Sequence, residues 1–354
     1  MATLKLGYVG CGFMAQGVHI PNFATIPGAE LVALAETRPL LGQKIQRRWG
    51  FRKLYASHLE MADDREVEAV GVSAAASEQS RIASDLLRAG KHVFMEKPMA
   101  LSVAEAEEML QSSQSGGGRL MVAYMKRYDA GNEIAKRHID EMRREAGRLL
   151  YARNHGFCGN WTAGFAEIIE QTDEPRPDPG PGRYPDWLPE DQRGPYYQYL
   201  QQYAHNVNLL RWFLDAGDQA TVTSVDLDAD GYTGIVTFDM NGVRAIIESA
   251  STSHHGWDEH TQLYFQDGWV RVSSPPLLLK NASVSVEVYR AGNRQEVLNP
   301  IAVPYSWSYH REAQHFVEDV LNGQPFRSSG EDTLTDIHLF EDIYRMHLAA
   351  MGAR

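Results

Sequence analysis

The sequence predicts an α/β protein. A doubly wound parallel sheet comes first, and an α+β domain with a large, mainly antiparallel sheet follows. Three observations carry this. The chain opens with a strand pattern running into Gly10-Cys-Gly12-Phe-Met-Ala15. Short apolar strands then alternate with helical patterns up to residue 125, the signature of a parallel sheet with crossover helices. Beyond residue 216 the pattern changes to repeated β segments. Residues 1–125 are therefore one domain and 126–354 a second, whose last helices return to the first.

The opening turn follows a strand, Lys5–Val9, and precedes a helical pattern. Gly10 makes a tight turn, Gly12 lets backbone approach an anion, and Ala15 allows close helix–strand packing. With Phe13 and Met14 between them, these residues form a dinucleotide-binding turn, in which a pyrophosphate meets free N–H groups at a helix start. The second strand, Glu30–Ala35, is closed by Glu36 at the distance expected of an acid that accepts hydrogen bonds from a ribose. Thr37 and Arg38 follow at once, and an arginine there is placed to accept a 2′-phosphate. The acid favours NAD over NADP.

Further strands are expected at Ala69–Val72, His92–Met95 and Arg119–Ala123, with helices at Gln43–Trp49, Ser80–Arg88 and Val103–Ser113. Gly90 suits a helix end that visits positive φ. His92–Met95 is short and apolar, as a strand covered on both faces must be. Glu96-Lys97-Pro98 follows it, so Lys97 is held at the carboxyl end of a strand, where open α/β sheets bind ligands. Ser102 with Glu105 reads as a capping box.

The second half begins with a polar amphipathic helix, Ala130–Arg144, and a strand, Gly147–His155. Thr172–Pro195 carries seven prolines and many charges. It reads as a surface insertion, a lid or a subunit-contact loop. In the helix Tyr197–Leu214, Leu200, Tyr203, Val207, Leu210 and Phe213 share one face, and Gln201, His205 and Asn208 share another. Strands are expected at Val222–Leu227, Gly234–Met240, Val243–Ser249, Gln262–Phe265, Val270–Ser273 and Val284–Tyr289. Asn241-Gly242 marks a tight hairpin. His254-His-Gly-Trp-Asp-Glu-His260 is rich in ligand types, but its spacing matches no strong zinc pattern; it reads as a loop near a substrate mouth, or as surface.

Taken together, these residues resemble the Gfo/Idh/MocA oxidoreductases, the glucose-fructose oxidoreductase and inositol dehydrogenase group. The likeness rests on Gly10-Cys-Gly12-Phe-Met-Ala15, Glu36, Ala89-Gly-Lys-His-Val93, Glu96-Lys97-Pro98, Tyr124-Met-Lys-Arg-Tyr-Asp129, His205, Glu312-Ala-Gln-His-Phe-Val317 and Ser328-Ser-Gly-Glu-Asp332. It implies a Rossmann domain, a nicotinamide cofactor and a homodimer or homotetramer. It also implies oxidation of a secondary alcohol on a sugar, glycoside or cyclitol. Lys97 and His205 would be catalytic: Lys97 holds the reacting oxygen, and His205 is the leading general base. Gln201, Asn208, Arg127, Tyr128 and Arg153 are the candidates to bind hydroxyls, with a structural role for Arg127 and Tyr128 equally open. Trp161 and Tyr199 either stack on a sugar face or belong to the core. Gly10, Gly12, Phe13, Met14, Ala15, Glu36, Thr37, Arg38, Ala74, Glu96 and Lys97 are the cofactor-site candidates. The chain departs from the family pattern twice. Ala74-Ala75 and Gln79 stand where relatives carry Thr-Pro and a histidine, and Gln201 stands where they carry an aspartate. Two alternatives stay open: NAD-dependent glycoside cleavage through transient oxidation at C3, and cofactor sensing without turnover.

Composition narrows the partners. The 34 basic and 46 acidic residues give a net charge of −12, which argues against nucleic acid and anionic membrane surfaces. The two cysteines, Cys11 and Cys158, fit neither a disulfide framework nor a zinc–cysteine site. No metal is expected. With no signal peptide and no apolar run of spanning length evident, the expectation is a cytoplasmic enzyme.

Overall fold

The computed structural model describes residues 2–251, 256–291, 296–298 and 301–352. In chain order the first elements are β1 (Leu4–Val9), a π-helical turn (Ala15–His19), α1 (Ile20–Phe23), β2 (Ala29–Ala35), α2 (Pro39–Trp49), β3 (Lys53–Tyr55), α3 (His58–Asp63) and β4 (Ala69–Val72). They continue with α4 (Ala76–Arg88), β5 (His92–Glu96), α5 (Val103–Gly116) and β6 (Leu120–Ala123), then a 3-10 turn (Met125–Tyr128), α6 (Ala130–Glu145) and β7 (Leu149–Cys158). After α7 (Arg193–Leu214) come β8 (Ala220–Leu227), β9 (Gly234–Met240), β10 (Val243–Ser251), β11 (Asp258–Phe265), β12 (Gly268–Ser274), β13 (Ser285–Arg290), β14 (Glu296–Leu298), α8 (Ser308–Asn322) and α9 (Gly330–Gly352).

The chain forms two compact units. One comprises Met1–Tyr124, Ala166–Trp187 and Tyr309–Ile337; the other comprises Met125–Phe165, Leu188–Ser308 and His338–Arg354. The first unit thus takes in two later segments beyond the break expected at residue 125. Its six parallel strands run in the order β3-β2-β1-β4-β5-β6. The winding reverses between β1 and β4, and in such sheets that point opens a crevice at the carboxyl ends of the strands. Strands β4 and β6 are buried at every position, as helices on both faces require. On one face, Phe23, Phe94, Phe316 and Phe326 pack ring on ring at 5.3–5.6 Å. The stretch before α9 lies along β6, where Val122 N–H donates to the Ser328 carbonyl at 2.9 Å.

The second unit is built on an eight-stranded sheet, β14-β13-β12-β11-β7-β10-β9-β8. All its pairs are antiparallel except β7 with β10. Burial alternates along β7, with Ala152, Asn154, Gly156 and Cys158 buried and Tyr151, Arg153, His155 and Phe157 half-buried. The buried set faces α7: Tyr203 donates to the Gly156 carbonyl at 3.1 Å, and Asn206 to Asn154 at 2.7 Å. Asn241 and Gly242 both take positive φ, 56° and 74°, which makes the β9–β10 hairpin the type I′ turn their dipeptide predicts.

Three expectations need correction. The short elements β3 and α3 were not expected, because three and six residues are too few to show a period. The Ser102–Glu105 box is half formed: Ser102 Oγ accepts from Glu105 N–H, but the Glu105 carboxylate turns to Leu101 N–H and Ser80 instead. Asp258, Glu259 and His260 belong to β11 rather than to a loop. Their charges are accommodated because Glu259 is paired in the interior while Asp258 and His260 lie on the half-open face.

Candidate functional site

The crevice between β1 and β4 is lined by the glycine turn. Gly10 has φ +93°, and a Cβ there would sit 2.2 Å from the Ser73 carbonyl oxygen, so only glycine fits. Gly12 is the opposite case. A Cβ built there meets nothing within 4 Å, so its exposed backbone faces open space that any side chain would take up. Phe13 and Met14 are half-buried beside it, while Ala15 is sealed in.

Glu36 closes β2 and gathers several donors. Cys11 N–H donates to it at 2.8 Å, and Arg38 grips it through Nε at 2.8 Å, Nη2 at 3.2 Å and its own N–H at 3.0 Å. Thr37 Oγ1 adds a longer bond at 3.3 Å. Burial raises the pKa of this carboxyl, but these donors outweigh burial and hold it below the ordinary range.

At the end of β5 the chain is fastened on both sides of Lys97. The Gln79 side-chain amide donates to the Glu96 carbonyl and, at 3.3 Å, to the Pro98 carbonyl. The Glu96 carboxylate accepts from Lys97 N–H at 3.0 Å and meets His19 Nε2 at 2.7 Å. His19 is fully buried against Phe94 and Tyr309. Burial opposes the Glu96 charge, yet His19, the Lys97 ammonium and the Lys97 N–H hold its pKa below the ordinary value. Glu312 on α8 is also fully buried, and among the described residues neither of its oxygens has a hydrogen-bond partner. Burial first, and then the Glu96 charge, push its pKa well up, which favours the protonated form.

In the second unit, His205 is buried on α7 together with Asn208, and Arg127 and Tyr128 are buried in the 3-10 turn. Arg127 donates to the Asn208 carbonyl at 3.2 Å. A buried polar chain runs through the same interior. Lys126 is paired with Glu259, Asn206 reaches Glu259 at 3.1 Å and Asn154 at 2.7 Å, and Asn154 donates to Thr261 at 2.7 Å.

Residues 4–124 match the model of an oxidoreductase family with an NAD-binding Rossmann fold, GFO_IDH_MocA. Over that stretch the chain matches the Gfo/Idh/MocA oxidoreductase family. Similarity to curated members runs nearly end to end. A myo-inositol 2-dehydrogenase of Thermotoga maritima is 21% identical over 93% of this chain and 92% of its own length. The NAD(+) scyllo-inositol 2-dehydrogenase of Bacillus subtilis is 23% identical over 91% and 86%. Among solved structures, a 3-ketoreductase from Actinomadura kijaniata in complex with TDP-benzene and NADP superposes with a TM-score of 0.71. It is 18% identical and covers 97% of both chains, a likeness of fold.

The residues present fit a dinucleotide. A dinucleotide-binding turn needs a bare backbone at its second glycine and an acid at the end of the second strand, and Gly12 and Glu36 supply both. Ala74 lies two residues past the end of β4, half-exposed beside Ser73.

The other predicted residues separate into groups. Lys97 and Glu96 lie in the first unit. His205, Asn208, Arg127 and Tyr128 lie in the second, as does Gln201, which is exposed although the helical spacing grouped it with His205. Arg153 does not join them. The pleat turns it to the face opposite α7, where it meets His260 Nε2 at 2.9 Å and stands 3.9 Å from Glu248. Tyr199 is core, packed against Tyr203, Phe340 and Tyr344; Trp161 is largely exposed. Of the ligand-rich run, His254 and His255 lie outside the described residues. Among the described residues no group of three or more His, Cys, Asp or Glu is arranged to hold a metal ion, and no helix is long and apolar enough to cross a membrane. Sequence reasoning missed Gln79 and His19 as supports of Lys97. Their only signal was a polar residue at each position where a buried helix faces the lysine turn.

Proposed function

We propose that this protein transfers a hydride between a secondary alcohol of a cyclitol or unphosphorylated sugar and nicotinamide, with NAD preferred over NADP. The observation that carries the reading is the fastening of Lys97 at the carboxyl end of β5, in the sheet whose crevice carries Gly12 and Glu36. Backbone contacts on both sides of Lys97 fix where its side chain starts and so limit where its ammonium can reach, which favours stabilising a developing alkoxide. The substrate class is taken from the inositol dehydrogenases similar to this chain over some nine-tenths of its length.

Bound nicotinamide would supply the hydride acceptor. The chain supplies the rest. Glu36 would accept from the ribose hydroxyls, and the N–H groups after Gly12 would hold the pyrophosphate. Lys97 donates a hydrogen bond to the reacting oxygen. His205 takes the hydroxyl proton, since imidazole titrates nearest neutrality. Asn208, Arg127, Tyr128 and Gln201 are proposed for the remaining hydroxyls; Arg153, on the far face of its sheet, is withdrawn. A homodimer or homotetramer is proposed from the family resemblance.

The test is a panel of inositols, sugars and glycosides with NAD or NADP, following reduced nicotinamide and released sugar. NADH formation with a polyol, lost by about a thousandfold in Lys97→Ala while NADH affinity stays within about threefold, is the expected result. NAD-dependent glycoside cleavage without net NADH would replace this reading with oxidation and elimination. Tight NAD binding with neither NADH nor released sugar would leave cofactor sensing.

A further inference from the structure

The segment Ala166–Trp187 lies on the first unit and forms a strap with no regular secondary structure. Its contacts run along α2 and onto the helical segments that follow β1, β4 and β5. Arg48 donates to the Ile168 carbonyl at 2.9 Å. The Gln16 side chain, one residue after Ala15, clasps the Glu170 backbone in both directions, at 2.8 and 3.2 Å. Lys44 holds the Gln171 carbonyl at 3.0 Å. Farther on, Ser77 at the start of α4 reaches the Pro179 carbonyl at 3.2 Å, and Arg183 forks onto Glu108 with two bonds of 2.7 Å.

Between these anchors, Glu174 caps α2. Arg38 at the N-cap offers no side-chain cap of its own. The Glu174 carboxylate takes the free N–H groups of Leu40 at 2.8 Å and Leu41 at 3.0 Å, and is itself steadied by Thr172 Oγ1 at 2.8 Å. These N–H groups begin two residues after Arg38, whose guanidinium Glu36 already holds. A 2′-phosphate on a ribose at Glu36 needs a free cation and free N–H groups. Here two carboxylates from distant parts of the chain have taken both.

We propose that Glu174 is a specificity-determining residue. Carried by the strap to the N-terminus of α2, it rejects the 2′-phosphate of NADP by like charge and by occupying the donors that phosphate would use. The proposal rests on the reading of the crevice as a nicotinamide dinucleotide site and adds a second acid to Glu36.

The test is equilibrium binding of NADH and NADPH to the full chain, by nucleotide fluorescence, for the parent, Glu174→Gln and Glu108→Gln. Glu174→Gln removes the charge and keeps one acceptor for the helix; Glu108→Gln weakens a strap anchor without touching α2. NADPH should bind Glu174→Gln about tenfold more tightly than the parent, with NADH within about twofold and Glu108→Gln like the parent. The parent's preference for NADH should also shrink between about 0.01 M and 0.5 M salt, where like-charge repulsion is screened. An unchanged NADPH-to-NADH ratio in Glu174→Gln overturns the proposal while the nucleotide site stands. An equal gain in Glu108→Gln also overturns it, because loosening of the strap then explains the effect. A parent chain that binds neither nucleotide overturns the site reading and this inference with it.

Discussion

The Gln79 clamp gives the sharpest test of how this fold holds its lysine. One side-chain amide serves the carbonyls of residues 96 and 98, on either side of Lys97, and Gln79 is 2% exposed. Gln79→Leu keeps the volume and removes both bonds. Each buried carbonyl left without a donor costs about 1–3 kcal/mol. The two together are worth about 2–6 kcal/mol, divided between global stability and local displacement of the turn. Because β5 and Met99 are buried on either side, the turn between them is the part free to move. A shift of about 1 Å in a reacting group costs about a hundredfold in rate. We therefore expect kcat of Gln79→Leu to fall by about ten- to a hundredfold, with KM within about threefold and NADH affinity unchanged. Gln79→His, whose ring N–H can donate to one of the two carbonyls, should recover a large part of kcat. The assay is steady-state kinetics on the polyol that the panel identifies, alongside thermal unfolding of each variant. If Gln79→Leu loses stability but retains kcat within twofold, the clamp is structural only and does not position Lys97.

The two turn glycines should respond in opposite ways. Gly10→Ala, strained by positive φ and a 2.2 Å clash, should cost about 3 kcal/mol or more in urea unfolding. Gly12→Val should unfold like the parent yet lose NADH binding by more than about tenfold; retained binding would place the pyrophosphate elsewhere. Glu312→Gln should raise the melting temperature at neutral pH. The folded-state pKa of Glu312 is raised, so its stabilising share is complete below the unfolded value of about 4.3 and is lost as pH rises toward the folded value. The gain from glutamine should therefore grow from pH 5 to pH 8 and vanish below about pH 4, and a gain independent of pH would refute a neutral Glu312. Lys126→Met should strand the Glu259 carboxylate in the interior of the second unit and cost about 3–5 kcal/mol. A loss under about 1 kcal/mol in denaturant unfolding would refute the pair's part in holding the second unit together.

What the sequence revealed, and what it hid, follows from the range of the interactions. The glycine turn, Glu36 and the Glu-Lys-Pro turn were legible because their chemistry is local. A positive φ, a strand end and a proline are fixed by neighbours, and the parallel sheet follows from short apolar runs between helices. The eight-stranded sheet was legible from alternation, and its hairpin from Asn241-Gly242. The face on which Arg153 lies was not. Strand period assigns Arg153 and Asn154 to opposite faces, but only the pairing of Asn154 with Asn206, 52 residues away, decides which of them meets α7. The run Asp258–His260 misled for a related reason. Three titratable residues in a row read as surface, and their place in β11 depends on a lysine 133 residues earlier.

The proline-rich segment shows the same limit most fully. Composition described Thr172–Pro195 as an exposed insertion, and half of that is right: residues 175–181 are exposed, and the backbone has no regular structure before Glu190, where a 3-10 turn leads into α7. Yet its Glu174 performs the task that a Ser, Thr or Asp at the N-cap would ordinarily perform, and Arg38 occupies that N-cap. The sequence thus contains a visible deficit, a helix beginning at Pro39 without a cap. The residue that fills it lies 134 positions downstream. A capless helix start beside a cofactor acid is a local signal that a donor set awaits an anion. Whether that anion is a ligand phosphate or a side chain from elsewhere in the chain is a tertiary fact, and the proposed preference for NADH rests on it.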